Sequence, residues 1–102
     1  MTRIGPLDAL HRDVPDLTVE QRSLLAAEVD QVCANQVLWM FTGEEGYEPG
    51  GFRRKLYDLM ASADPENLAQ LTIVYPAESL AYSVAAFVPD GLDILRQAVR
   101  RG

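Results

Sequence analysis

The sequence has few of the residues that carry most covalent and metal chemistry. Its 102 residues include one cysteine, Cys33, and one histidine, His11. One cysteine cannot form an internal disulfide, and one cysteine with one histidine does not supply the ligand set of a zinc site. We therefore expect no catalytic residue, no metal and no cofactor, and predict that the protein is not an enzyme. Cys33 is expected to lie near the buried face of a helix as a small hydrophobe, and His11 at the surface.

Long apolar runs are also missing. The longest is Val37–Phe41, far short of the roughly 20 apolar residues that a membrane-spanning helix needs. The first residues lack the apolar stretch of a secretory signal. We therefore expect one soluble domain over residues 1–102, located in the cytoplasm, with no membrane partner. Within it, residues 1–17 are expected to be loosely structured because Gly5, Pro6 and Pro15 interrupt them.

Basic residues are outnumbered, with 9 Lys and Arg against 15 Asp and Glu, which gives a net charge of −6. Binding to phosphates requires several cations on one face. The one basic cluster, Arg53–Lys55, directly follows an acidic stretch, so we do not expect nucleic acid as a partner. That stretch, Glu44–Gly51, also lacks the alternating acidic positions and the closing glutamate of a calcium-binding loop.

Evidence for strands is limited to Leu71–Tyr75, and a lone strand would leave its backbone groups unpaired. The remaining chain divides into amphipathic segments at glycine and proline residues, so we predict an all-α, single-domain bundle of four to five helices. A capping box at Thr18–Gln21 predicts one long helix that ends at Gly43. Asp64 and Pro65 predict a second clear helix start.

The apolar periodicity predicts which positions are buried. In the long helix these are Leu25, Val29, Val32, Gln36 and Trp39, opposite an exposed face of Glu20, Ala27, Asp30, Gln31 and Ala34. In the later segments they are Phe52, Leu56, Leu59, Met60 and Ala63, then Leu68, Leu71, Val74 and Tyr75, then Leu80, Val84, Phe87 and Val88, and finally Leu92, Leu95 and Val99.

The end of the long helix breaks this pattern, because Val37–Phe41 is apolar on every side. Either neighbouring helices cover that turn completely, or one side of it meets another protein, since Trp and Phe are enriched in interface cores. We expect Leu38 and Phe41 to be exposed in the subunit and to form a self-associating or partner-binding patch. A double variant, Leu38→Asp with Phe41→Ser, should then abolish association and leave the monomer folded.

The loop Glu44–Gly51 has two interpretations, a structural turn and a recognition loop. Pro49 fixes φ, the following glycines open the helix entry, and Phe52 is expected to pack the loop onto the core. The candidate interaction residues of the whole chain are Leu38, Trp39, Phe41, Tyr47, Glu48, Pro49 and Phe52.

The string from Gly46 to Phe52, followed by Leu56, Ala63–Asn67, Leu71 and Tyr75–Pro76, resembles a family of small proteins encoded by bacteriophages and prophages of actinobacteria. The resemblance covers roughly Glu44–Phe87 and brings no catalytic residues with it. It implies a helical, non-catalytic protein that binds and modulates a bacterial host protein. The alternative is a virion structural or assembly component, or a homo-oligomeric scaffold, so that a homodimer is a second candidate partner.

Overall fold

The computed structural model describes residues 17–101, and 79% of them are helical, with no strand among them. The six helices of this part are α1 Val19–Glu28, α2 Gln31–Thr42, α3 Gly51–Ser62, α4 Pro65–Val74, α5 Pro76–Phe87 and α6 Gly91–Arg101. The all-α prediction is confirmed, although four to five helices were expected. His11 and all but the last residue of the segment 1–17, which was predicted to be loosely structured, lie outside the described residues.

The predicted helix boundaries rest on the capping groups that the sequence indicated. The Thr18 hydroxyl accepts a hydrogen bond from the Gln21 backbone, and the Gln21 side chain accepts one from the Thr18 backbone. The Asp64 carboxylate accepts a hydrogen bond from the Asn67 backbone at 2.8 Å, and Pro65 occupies the first turn of α4. Gly43 ends α2 in the left-handed conformation with φ of 73°. These groups satisfy backbone donors and acceptors that a helix end leaves unpaired.

The single helix predicted from Thr18 to Thr42 is wrong. Val29 and Asp30 adopt extended backbone conformations, and the Asp30 carboxylate caps a new helix by accepting a hydrogen bond from the Cys33 backbone at 3.0 Å. The break changes which residues of α2 face the core. Ala34, expected on the exposed face, is fully buried, whereas Val32, expected in the core, is 50% exposed. This break also accounts for the additional helix.

The core lies between α2, α5 and α6. The strongly amphipathic α6 buries Ile94, Leu95 and Ala98 against α1, α2 and α5. Its first residue, Gly91, allows close packing, because a Cβ atom there would lie 1.8 Å from the carbonyl oxygen of Val84 in α5. A larger residue would therefore push the two helices apart.

The first helix covers α6 mainly through polar contacts. Arg22 forms a salt bridge with Asp90 at 2.7 Å, and the Gln97 amide donates to the Ser23 hydroxyl at 2.8 Å. Only Ala26 of α1 is buried, while Val19 and Leu24 are 82% and 69% exposed. This helix therefore adds little to the core.

The helices α3 and α4 both pack against α5 but make little direct contact with one another. The rings of Phe52, at the start of α3, and Tyr75, after the end of α4, lie 6.0 Å apart. The two helices thus run antiparallel with an open cleft between them. Across residues 17–101, no helix combines the length and the apolar character needed to cross a membrane.

Candidate functional site

The seven predicted interaction residues do not form one surface. Leu38 is 2% exposed, so the expectation that it lies on an exposed patch is wrong: neighbouring helices cover that side of α2. Phe41 is 43% exposed and packs against Tyr82, with ring centroids 6.0 Å apart. Trp39 and Met40 are half-buried. Most of the apolar turn is therefore covered by the same chain.

The acidic loop is fastened to the last helix. Both carboxylate oxygens of Glu45 accept hydrogen bonds of 2.7 Å from the Arg96 guanidinium. These bonds lower the pKa of Glu45, because they stabilise its charged form. The Thr42 hydroxyl accepts hydrogen bonds from the backbone of Glu44 and Glu45. The loop is thus held in place at its first half.

The second half of the loop rests on α2 and α3. A Cβ atom at Gly46 would lie 2.0 Å from the carbonyl oxygen of Asn35, so the loop backbone directly contacts α2. Pro49 is buried, whereas Tyr47 is 47% exposed. Glu48 forms a salt bridge with Arg54, whose guanidinium lies 5.6 Å from the centre of the Trp39 ring. These contacts favour a structural turn that leaves Tyr47 facing solvent.

Buried polar groups join α2, α3 and α5. The Tyr57 hydroxyl donates to the Gln36 amide oxygen at 2.9 Å, and Arg53 forms a salt bridge with buried Glu78 at 2.6 Å. Cys33 lies beside this cluster, and burial raises the pKa of its thiol to about 11. A thiol with that pKa is protonated at neutral pH and is a poor nucleophile. Cys33 behaves as the buried small hydrophobe that the sequence indicated.

An exposed apolar surface lies at the cleft between α3 and α4. The cleft has a volume of about 410 Å³ and is lined by Leu59, Ser62, Ala63, Asn67, Gln70, Leu71 and Val74. None of these residues carries a charge. Of the lining residues, Leu59 and Val74 are 53% and 66% exposed, and Phe52 and Ile73 of the same two helices are 63% and 81% exposed. We call this surface the α3–α4 face.

The α3–α4 face was missed because its residues were assigned to the core. Phe52, Leu59 and Val74 have helical spacing, and the pattern alone cannot show whether a stripe is covered by the same chain. The expectation that they are buried is wrong because no other helix of the described residues covers this side of α3 and α4. One signal was present in the sequence: residues 67–77 contain no charged side chain, and interface cores are depleted of charge.

Comparisons with known proteins found no match: no family model, curated protein or solved structure matches the chain significantly. Within residues 17–101, no three His, Cys, Asp or Glu side chains come together in a group able to hold a metal ion.

Proposed function

We propose that this protein is a small non-catalytic binding protein whose α3–α4 face docks on another protein. The observation that carries the proposal is the exposure of four large apolar residues on the two helices that form a cleft without charged lining residues. These are Phe52, Leu59, Ile73 and Val74. Contiguous exposed apolar surface with a polar rim is typical of protein-binding sites. The partner proposed from the phage-type resemblance is a bacterial host protein, met in the cytoplasm of the host cell.

The short length and the low burial of α4 support this proposal. The helix has ten residues, of which only Leu68 is buried, and it packs mainly against α5. Helices of this length are only marginally stable in water without tertiary packing. A second helix laid between α3 and α4 would cover the apolar residues of both. The geometry therefore suits an amphipathic helix of the partner, docked as in other helix-in-groove complexes.

The charges near the cleft indicate what the ends of that partner helix should carry. Lys55 precedes Leu59 by one helical turn, and Glu66 lies in the first turn of α4 at the other end of the cleft. Neither side chain forms a salt bridge with any other residue between 17 and 101. A partner helix with an acidic residue at one end and a basic residue at the other would match both charges.

A homo-oligomeric scaffold or a virion assembly component is the second candidate function. Lys55 and Glu66 lie at opposite ends of one uncharged face, so a two-fold arrangement of two copies would pair them reciprocally. The same apolar residues would then be covered by a second copy of the chain. The two functions differ in the mass of the species that the face captures.

Site-directed photocrosslinking in bacterial host cells tests the proposal. A benzophenone side chain replaces Gln70, which lines the cleft, or Val19, which is exposed on α1 as a control. We expect a discrete crosslinked product from position 70 that is absent from position 19. Adding Val74→Lys should abolish the product, because a charge would enter the apolar cleft.

The mass of the product decides between the candidates. A product of this chain with one host protein supports the host-binding function, and a product of two copies supports the scaffold. Equal crosslinking from positions 70 and 19, or a product that Val74→Lys leaves unchanged, would show that the α3–α4 face is not the binding surface.

A further inference from the structure

A second groove lies away from the α3–α4 face, between α2, α3 and α5. Its volume is about 430 Å³, within the range of small-ligand sites. Three aromatic residues line it, each from a different helix: Phe41 from α2, Tyr57 from α3 and Tyr82 from α5. The small side chains of Ala61 and Ala86 leave the space between these helices open.

The aromatic side chains are held in fixed positions. Tyr82 packs between Phe41 and Phe87, with ring centroids 6.0 and 6.1 Å away. The Tyr57 hydroxyl is hydrogen-bonded to Gln36 in the buried polar cluster, so that side chain is anchored at its polar end. The groove thus offers aromatic rings whose positions are set before any ligand arrives, which lowers the entropic cost of binding.

Asp58 is the one charged residue that lines this groove. Its natural cation on the helix is Arg54, four residues earlier, and the sequence places the two as neighbours on the exposed face. Arg54 instead pairs with Glu48 and lies over Trp39. Among residues 17–101 Asp58 forms no salt bridge. The groove therefore combines aromatic rings with a carboxylate that forms no salt bridge within residues 17–101.

We propose that the groove binds a small organic cation with an apolar body, such as an aromatic amine or a quaternary ammonium compound. The electron-rich faces of aromatic rings attract an ammonium group, and the Asp58 carboxylate adds a direct charge interaction at the rim. The apolar body of the ligand would occupy the space beside Ala61 and Ala86. An anionic ligand would meet an uncompensated carboxylate and is disfavoured.

Ligand titrations of the full chain, followed by two-dimensional NMR, test this inference. The probes are phenethylammonium and its neutral counterpart 2-phenylethanol, which have the same ring and chain length. We expect the ammonium compound to bind roughly tenfold more tightly, with shifts centred on Ala61, Tyr82 and Ala86. Asp58→Asn should weaken the ammonium compound about fivefold and leave the alcohol unchanged.

Two further variants control for charge and for the location of the site. Glu28→Gln removes the same charge from an exposed position on α1 and should leave both affinities unchanged. Ala61→Trp fills the groove from an exposed position and should abolish binding of both probes. Equal affinity for the two probes, equal weakening by Glu28→Gln and Asp58→Asn, or binding that survives Ala61→Trp would each overturn the inference.

Discussion

At the residue scale, Leu38 and Phe41 differ in exposure although the sequence pattern predicts the same exposure for both. Leu38 and Phe41 belong to one apolar turn, and both were expected at the surface. The structure covers Leu38 almost completely and leaves Phe41 at 43% exposure. The reason is the break at Val29–Asp30, which sets the rotation of α2 and turns Ala34 and Leu38 towards the core. The burial of these residues therefore depends on the helix start at Gln31, ten residues before Phe41, which propensity alone does not specify.

This difference predicts unequal costs of truncation. Leu38→Ala should lower the free energy of unfolding by about 2–5 kcal/mol, because it leaves a cavity in a packed core. Phe41→Ala should cost about 1–2 kcal/mol, because the ring is only partly removed from water. Urea denaturation monitored by circular dichroism measures both. Similar costs for the two variants would contradict the burial described for this turn.

At the element scale, the sequence predicted helix starts better than it predicted which faces are buried. Capping groups such as Thr18 and Asp64 act locally, so their effect can be recognised from the residues themselves. The burial of an apolar stripe depends instead on where the next helices lie. Phe52, Leu59 and Val74 were expected in the core because whether another helix covers α3 and α4 is a tertiary property. Asp30, a capping residue inside an apparently continuous helix, was missed because no glycine or proline marks the break.

The loop between α2 and α3 should respond to pH through its anchor. Arg96 lowers the pKa of Glu45 in the folded protein, so the salt bridge stabilises the fold above the usual carboxyl pKa of 4.5. That contribution is lost as the pH falls through the lowered pKa. We expect Glu45→Gln to melt at a lower temperature than the unaltered protein at pH 7, and this difference to shrink below about pH 4.

Thermal melting at a series of pH values checks this expectation. Glu44→Gln is the matched control, since Glu44 neighbours Glu45 and forms no salt bridge with another residue of the described part. It should change the melting temperature little at any of these pH values. A difference for Glu45→Gln that persists undiminished at acidic pH would show that the carboxylate charge does not hold the loop.

At the scale of the whole molecule, the six described helices divide into a packed centre and an incompletely covered side. The centre, formed by α2, α5 and α6, accounts for most of the buried residues. The helices α3 and α4 expose four large apolar residues, two of which line the cleft between them. Exposed apolar side chains do not stabilise the subunit that displays them, and we propose that they serve binding.

The candidate site was only partly predictable from the sequence, because the packing of the helices decides which apolar residues are exposed. The sequence indicated that some apolar residues would face a partner, and it named Phe52 among them. It assigned the main patch to Leu38 and Phe41, whereas the structure exposes Ile73 and Val74 far more strongly. Composition can indicate that a small chain has more apolar residues than its core can bury. Only the packing of its helices decides which of them stay exposed.

Urea denaturation of the double variant Leu59→Lys/Ile73→Lys tests most directly whether the α3–α4 face lies outside the core. Both residues are exposed, and lysine keeps a long aliphatic stem and is a good helix former. We predict a free energy of unfolding within about 1 kcal/mol of the unaltered protein, whereas Leu68→Lys, at a position 4% exposed, should lose several kcal/mol. A loss of several kcal/mol in the double variant would show that these side chains belong to the core and would contradict their role as a binding surface.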